Sequence, residues 1–272
     1  MGALLEAFRR GWGVEKVHEI TRITRWFLYG FERLANMERS IVERGVSPAE
    51  LTLEELRLWK SHGFSDAHIA DALAGFPPEG VKSLVSGQDE RAVMQRRHQL
   101  ALHPVYRMVD SCAAEFAAKT PYYYSTYEPF GPTGIDRLPN MEERTKERLV
   151  AIGSGPIRIG QGIEFDYGCV HAVKAIREAG KDAILINNNP ETVSTDFDTS
   201  DRLYFDPLTL EYVSEILLRE QAHGILLQFG GQTAINLALP LEARLPDLAA
   251  SGLDLAIMGT SCDAIDAVSY TH

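Results

Sequence analysis

The sequence has few cysteines and no long apolar run, and these absences exclude several classes of protein. Its three cysteines, Cys112, Cys169 and Cys262, are far apart, and no C-x-x-C pair occurs. Arg9 and Arg10 interrupt the apolar stretch near the first residue, which is unlike a secretory signal peptide. No stretch approaches the roughly 18 apolar residues of a membrane span. We therefore expect a cytoplasmic protein with reduced, buried thiols.

Basic charge is scarce in the second half of the chain. The formal net charge is -11; residues 1–120 carry 16 basic and 16 acidic side chains, which leaves 11 basic and 22 acidic side chains for residues 121–272. A nucleic-acid surface needs a basic stripe, so this composition argues against one. It leaves a small anionic ligand open, because backbone amides bind anions without net positive charge.

A glycine-dense stretch at 153–167 lacks the residues that the two commonest phosphate-binding loops require. It lies between a strand-like and a helix-like run, the layout in which backbone N–H groups converge on an anion. A dinucleotide fingerprint from Gly153 would need glycine where Arg158 stands, and a P-loop would need lysine and a hydroxyl where Gln161 and Gly162 stand. The stretch therefore indicates close backbone approach to some other small anion.

Metal-ligand and nucleophile patterns are missing as well. His18, His103 and His171 lie in different segments without a shared ligand spacing. No G-x-S-x-G nucleophile elbow occurs. We therefore predict no protein-bound metal site in this chain.

The first half of the chain has a helical rhythm. Thr52 with Glu55 forms a capping-box pattern, and Ser65 is suited to begin a further helix. A longer helix ending near Gly45 is predicted, with one buried face formed by Phe27, Phe31, Leu34, Met37 and Ile41. No strand-like alternation of useful length occurs, so residues 1–120 are predicted to form an all-α helical domain.

Residues 121–147 are predicted to form a connector, because proline and glycine repeatedly break regular structure there. Its first part contains four tyrosines, Tyr122, Tyr123, Tyr124 and Tyr127. Such a cluster is either a binding surface or a loop strapped onto a neighbouring domain with its rings inward, and we favour the strap.

From residue 148 the rhythm changes to alternating strands and helices. Strands are predicted at 149–152, 183–187, 202–205, 224–229 and 255–258. This alternation predicts an α/β domain whose parallel sheet is covered on both faces. Ligands bind beyond the carboxyl ends of parallel strands, so the polar turns at 153–164, 187–196 and 230–233 mark a candidate functional edge.

Several long motifs closely resemble the large subunit of carbamoyl-phosphate synthase. They are IGQGIEFDY at 159–167, NPETVSTD at 189–196, DTSDRLYF at 198–205, GGQT at 230–233, HPVY at 103–106 and CAAEF at 112–116. The resemblance covers nearly the entire chain. It implies a helical oligomerisation domain at 1–120 and, at 148–268, the Rossmann-like pre-ATP-grasp domain of the carbamoyl-phosphate-forming half. Residues 269–272 look foreign to the family pattern, and the chain is expected to be a fragment without either ATP-grasp domain.

The resemblance also implies an activity for the complete enzyme. Bicarbonate, glutamine-derived ammonia and two ATP give carbamoyl phosphate for arginine and pyrimidine biosynthesis, through carboxyphosphate and carbamate. ATP and Mg²⁺ or Mn²⁺ are held by the ATP-grasp domains, so no cofactor is expected in this fragment, which should be inactive alone. Expected partners are the glutaminase small subunit, the remaining large-subunit domains and a second copy through the helical domain, with no nucleic acid and no membrane.

The same resemblance assigns roles to the strand-end turns, with no catalytic residue among them. The expected residues of the carbamate tunnel and active-site wall are Gly160, Gly162, Ile163, Glu164, Glu191, Gly230, Gly231, Gln232 and Thr233. Small residues supply clearance, and the carboxylates of Glu164 and Glu191 are expected to steer the labile intermediate. The alternatives are a helix-terminal carboxylate favoured by the dipole at Glu164 and a loop acid that satisfies backbone donors at Glu191.

Two other functions stay open. The chain could act as a non-catalytic self-association or regulatory module, which the helical half favours. A stand-alone Rossmann oxidoreductase is disfavoured because the third glycine of the fingerprint is missing.

Overall fold

The computed structural model describes residues 2–75, 87–113, 115–116, 120–127, 145–156, 162–261 and 263–264. The chain divides into two compact units, Met1–His103 and Pro104–His272. The first is helical and the second is α/β, which confirms the predicted fold class. Arg158, Gly160 and Gln161 lie outside the described residues, as do Cys262 and the residues from 265 onward. Within the described residues, no helix combines the length and the hydropathy that crossing a membrane requires.

The helical unit is built around one long helix. Its described helices are α1 (Gly2–Arg9), α2 (Val14–Thr21), α3 (Arg25–Arg44), α4 (Leu53–Ser61), α5 (Asp66–Leu73) and α6 (Gly87–Gln99). Helices α1, α2 and α5 pack against α3. The predicted end of α3 at Gly45 and the predicted capping box of Thr52 and Glu55 are both confirmed.

The predicted buried face of α3 is confirmed at Ile41, and Phe31 is partly buried against the helical core, but the prediction is wrong at Phe27. The buried residues of α3 are Leu28, Ala35, Glu38 and Ile41, whereas Phe27 is 56% exposed. Apolar residues occur at both 27 and 28, so a period of three to four residues fits either face. Contact with the buried side chains of α1 and α2 selects the face that contains Leu28.

Glu38 on α3 joins three helices through its carboxylate, which is 4% exposed. Arg9 of α1 donates to it through Nε and Nη2, both at 2.8 Å, and His68 Nε2 of α5 lies 2.9 Å from Oε1. Burial raises the pKa of Glu38, but the hydrogen bonds from His68 and Arg9 outweigh burial and hold that pKa below its ordinary value. The charged form of Glu38 therefore stabilises the contact between α1, α3 and α5.

A second buried cluster joins α4, α5 and α6. Asp66, the first residue of α5, is fully buried. Arg97 Nη2 of α6 donates to Oδ2 at 3.0 Å, and Lys60 Nζ of α4 lies 3.1 Å from Oδ1. Arg97 also donates through Nη1 to the carbonyl oxygen of Leu102 at 3.0 Å. Because buried charges are tolerated only when paired, this cluster fixes how the three helices meet.

The α/β unit contains one mostly parallel sheet. Its described strands are β1 (Val105–Met108), β2 (Tyr122–Thr126), β3 (Arg148–Ile152), β4 (Asp182–Ile186), β5 (Arg202–Tyr204), β6 (Gly224–Leu226) and β7 (Ala256–Met258). They are arranged in the order β1-β2-β5-β4-β3-β6-β7, and only the β1–β2 pair is antiparallel. The described helices of this unit are α7 (Glu164–Glu178), α8 (Leu210–Glu220), α9 (Gly231–Ile235), α10 (Ala238–Glu242) and α11 (Leu245–Ala250).

Strands β1 and β2 correct two predictions. The sequence predicts no strand within residues 1–120 and a strapped loop at the tyrosine cluster, and both predictions are wrong at these positions. Tyrosine favours strands, and Tyr123 pairs in register with Tyr204 of β5, where the two rings lie 5.7 Å apart. Four or five residues of weak alternation are too few to reveal such a strand before its partner is known.

Both faces of the sheet are covered by helices. On one face Val150 of β3 belongs to a core cluster with Ile216 of α8. On the other face Ala151 of β3 belongs to a cluster with Val173 of α7. Successive side chains of a strand point to opposite faces, so a strand buried along its whole length shows that the sheet is covered twice.

Candidate functional site

The three candidate turns follow neighbouring strands. β3 pairs in parallel with β4 on one side and with β6 on the other. The carboxyl ends of the three strands therefore point the same way. The described parts of the turns at 153–164, 187–196 and 230–233 share one edge, where open parallel sheets bind their ligands.

Asn187 ties the first two turns together. It is fully buried directly after β4. Its Oδ1 accepts from the backbone N–H of Gly155 at 3.1 Å and from that of Asn189 at 3.2 Å. Its Nδ2 donates to Ser194 Oγ at 3.3 Å. One side chain thus contacts the glycine loop after β3 and both ends of the turn after β4.

Close packing at Gly153 and Gly230 brings the turns together. A Cβ on Gly153 would overlap the side-chain amide of Asn187. A Cβ on Gly230 would lie 2.5 Å from the carbonyl oxygens of both Ile152, the last residue of β3, and Gly153, the first residue of the turn that follows it. Backbone oxygens cannot move aside as a flexible side chain can, so only glycine fits at position 230.

The first turn of α7 is anchored to the turn at 187–196. Asp166 is 6% exposed, and both of its carboxylate oxygens lie 3.2 Å from the backbone N–H of Ser194, which donates to them. Gly231 has a φ of 60°, and a Cβ there would lie 3.2 Å from the ring of Phe165. The turn after β6 therefore lies against the same end of α7.

Two family models match the chain. A carbamoyl phosphate synthase preATP-grasp domain matches residues 145–267, and a carbamoyl-phosphate synthetase large-chain oligomerisation domain matches residues 1–101. The chain belongs to the carbamoyl phosphate synthase large-chain family. The preATP-grasp match contains all three turns of the candidate site, and the oligomerisation match lies within the helical unit.

Curated relatives extend the likeness across almost the whole chain. A carbamoyl phosphate synthase large chain from Myxococcus xanthus is 48% identical over 261 residues, which are 96% of this chain and 21% of the relative. One from Methanothrix thermoacetophila is 44% identical over 97% of this chain and 22% of the relative. An arginine-specific chloroplastic large chain from Oryza sativa is 44% identical over 97% of this chain and 21% of the relative. The chain thus spans about a fifth of the length of these synthase relatives.

The two carboxylates singled out from the synthase motifs are both exposed. Glu164 is the first residue of α7, and its Oε1 accepts from the backbone N–H of Gly162 at 3.4 Å. Glu191 lies on the turn after β4, and its backbone N–H donates to Asn189 Oδ1 at 3.1 Å. Both side chains are therefore accessible at the carboxyl edge, and Glu164 also has the position of a helix-terminal acid.

The remaining candidate residues differ in exposure. Ile163 is 74% exposed, Gln232 is exposed and Thr233 is half-buried. Gln232 Nε2 donates to Asn236 Oδ1 at 2.6 Å, so this side chain is engaged within its own helix and the following turn. Gly160 lies outside the described residues, and its role stays a prediction.

Cys169 of α7 is buried beneath the turns, and its surroundings favour the neutral thiol. Its Sγ lies 3.6 Å from the carbonyl oxygens of Ile152 and Phe229. Burial and the charge of Asp166 raise the pKa of Cys169 to about 12. The prediction of buried thiols is confirmed at Cys169, whereas Cys112 is only half-buried.

Sequence reasoning missed the two side chains that hold the turns. Asn187 lies in the predicted turn at 187–196 and Asp166 in the motif at 159–167, but the sequence assigned neither side chain a role. The spacing of Asn187 and Asn189 before a proline was the one available signal, since asparagine side chains accept from backbone two residues ahead in Asx turns.

Proposed function

We propose that this chain supplies part of a carbamoyl phosphate synthase large chain, which makes carbamoyl phosphate from bicarbonate, glutamine-derived ammonia and two ATP. Its α/β unit forms a wall of the carbamate passage and active site of the carbamoyl-phosphate-forming half. ATP and Mg²⁺ or Mn²⁺ bind to ATP-grasp domains of the complete enzyme. The glutaminase small subunit is the partner that provides ammonia, and the isolated chain is inactive.

One observation carries this proposal: three neighbouring turns, two of them with an exposed carboxylate, meet at the carboxyl edge of a sheet in a preATP-grasp domain. The apolar surface of this part of the unit adds support. Ile163, Tyr167, Val193 and Phe197 are 74%, 65%, 60% and 60% exposed. Large apolar side chains exposed together mark an interaction surface, which suits a wall that another domain covers.

The chemistry of carbamate suits such a wall. The intermediate has an NH₂ group that donates hydrogen bonds and a carboxylate that accepts them, and it decomposes in water. Glu164 and Glu191 accept from its NH₂ group and repel its carboxylate, which turns the carboxylate away from these side chains and orients the intermediate within the passage. Glycines at the wall keep the passage wide enough and the intermediate close to the backbone.

The test uses a hybrid large chain, in which residues 1–264 replace the matching segment of the Myxococcus xanthus relative. With the small subunit, glutamine and bicarbonate, ADP formed per carbamoyl phosphate measures how well the intermediate is retained. Glu191→Ala should raise the excess of this ratio over its stoichiometric value about fivefold, the factor that corresponds to ~1 kcal/mol of lost hydrogen bonding, because only this excess reports escape of the intermediate. Glu178→Ala, which changes an exposed glutamate at the other end of α7, is the matched control. An unchanged ratio in Glu191→Ala rejects the role.

The isolated chain provides a second test. Mixed with ATP, bicarbonate and ammonia, it should form no ADP and no carbamoyl phosphate, because the ATP-binding groups reside in other domains. Measurable ATP turnover by the purified chain contradicts the proposal that ATP binds to other domains of the complete enzyme.

We also propose that the helical unit self-associates. Ile20, Trp26, Phe27 and Tyr29 of α2 and α3 are 64%, 76%, 56% and 55% exposed. Aromatic side chains are enriched at protein interfaces, and several exposed together favour a partner surface. Light scattering during size-exclusion chromatography should give a mass that is a multiple of 30.2 kDa at micromolar concentration. Trp26→Glu should reduce that mass, and a strict monomer in the unchanged chain refutes this role.

A further inference from the structure

Asn187 is a buried amide whose three side-chain hydrogen bonds all go to the turns of the candidate site. Its Oδ1 accepts two backbone N–H groups, and its Nδ2 donates to Ser194 Oγ. Its own backbone N–H donates to the carbonyl oxygen of Tyr204 at 3.0 Å, which attaches Asn187 to the neighbouring strand β5. Buried polar groups are stable in a fold when they are satisfied in this way.

The hydrogen bonds lead from Asn187 to Glu191 in two steps. Asn187 Oδ1 accepts from Asn189 N–H, and Asn189 Oδ1 accepts from Glu191 N–H at 3.1 Å. The other end of the same turn is held by Asp166 through the backbone N–H of Ser194. The turn that carries Glu191 is thus attached at one end to the glycine loop and at the other to α7, whose first residue is Glu164.

We propose that Asn187 is a positioning residue, which sets the turn bearing Glu191 against the glycine loop and α7 and so fixes the backbone positions from which Glu164 and Glu191 extend their carboxylates. This inference rests on the proposed function of those two carboxylates. Asparagine is specifically suited to this position, because it combines two acceptor bonds and one donor bond in a volume that the glycine at position 153 leaves free. Aspartate would lose the donor and bring an uncompensated charge into a fully buried site.

The neighbouring asparagine is a matched control. Asn188 is exposed, and it adjoins Asn187 on the same turn. Asn187→Ala removes the three side-chain hydrogen bonds, whereas Asn188→Ala removes an exposed amide of the same size, which lies near Gly155 but does not accept its N–H. Should Asn187→Ala not accumulate as a folded chain, Ser194→Ala, which deletes only the oxygen that Nδ2 contacts and leaves both Oδ1 bonds in place, should change the same measurements in the same direction and by less.

The first measurement is amide hydrogen exchange of the unmodified chain and its variants, followed peptide by peptide. The N–H groups of Gly155 and Asn189 each lose one hydrogen bond in Asn187→Ala, so exchange in the peptides that contain them should be about fivefold faster. Asn188→Ala should leave the exchange rates of both peptides unchanged. Equal exchange in the two variants overturns the assignment of Asn187.

The second measurement is ADP formed per carbamoyl phosphate in the hybrid large chain, a ratio that a purely structural role would not change. Asn187→Ala should raise the ratio as Glu191→Ala does, and Asn188→Ala should leave it at the unmodified value. If Glu191→Ala raises the ratio and Asn187→Ala does not, the positioning role is overturned and the proposed function stands. If Glu191→Ala has no effect, the proposed function is rejected, and the positioning role with it.

Discussion

Replacing Asp66 by alanine should strongly destabilise the helical unit. The substitution removes the acceptor that Arg97 and Lys60 share, and these cations are 0% and 3% exposed. Removing one member of a buried ion cluster costs about 3–5 kcal/mol, because the remaining charge stays out of water. Arg97 keeps its hydrogen bond to Leu102, so we expect a loss near the lower limit, about 3 kcal/mol.

Tryptophan fluorescence measures this loss in the helical unit alone. All three tryptophans, at positions 12, 26 and 59, lie in the unit that ends at His103. Trp59 is buried directly beside Lys60, so its emission reports unfolding around the cluster. With a urea slope of about 1–3 kcal/mol per molar, a loss of ~3 kcal/mol lowers the midpoint by roughly 1–3 M.

Two further variants give this measurement its scale. Glu43→Ala, at an exposed position of α3, should change the free energy of unfolding by no more than about 0.5 kcal/mol. Asp66→Asn preserves the shape and one acceptor oxygen, so its loss should lie between those of the other two variants. A loss below about 1 kcal/mol for Asp66→Ala would refute the reasoning, since removing one member of a buried ion cluster is expected to destabilise the fold by more than that.

Three further predictions concern single groups. Gly230→Ala should destabilise the α/β unit by about 1–3 kcal/mol in a urea titration followed by circular dichroism. In Gly162→Ala the nearest atoms to the new Cβ belong to the flexible end of Glu164, so this control should be nearly neutral. Equal losses of stability in the two variants contradict the prediction. The folded pKa of Glu38 is depressed, so its carboxylate stabilises the fold above about pH 4.3, and this contribution is lost as the pH falls through the folded pKa. Glu38→Gln should therefore weaken the fall of the free energy of unfolding at acid pH, as measured by tryptophan fluorescence. Cys169 should resist iodoacetamide at about pH 8 in the native chain and react once urea unfolds it, as peptide mass spectrometry will show; rapid native labelling contradicts its burial.

The position of the candidate site was predictable because it follows from alternation. A strand followed by a helix and another strand forces parallel neighbours, and parallel strands bring their following turns to one edge. The order β4-β3-β6 then places the turns at 153–164, 187–196 and 230–233 side by side. That prediction requires only the types of the elements and their order along the chain, and no tertiary contact between them.

How the site is built was not predictable in the same way. Asn187 contacts Gly155 across 32 positions, and Asp166 contacts Ser194 across 28. Such bonds exist only after the sheet has brought the two segments together. Asn187 is buried and Asn188 is exposed, but the sequence does not distinguish two adjacent asparagines by their burial.

By itself, the sequence determined the alternation of strands and helices from residue 148 onward, the helix N-caps at Thr52 and Ser65, and the family to which the chain belongs, because these depend on neighbours within a few positions and on long unbroken motifs. The tertiary structure alone decided that α3 buries Leu28 and exposes Phe27, and that residues 122–126 form a strand. It also decided which asparagine holds the site together. Each of these outcomes depends on a surface supplied by residues distant in the chain, and local propensity carries no information about that surface.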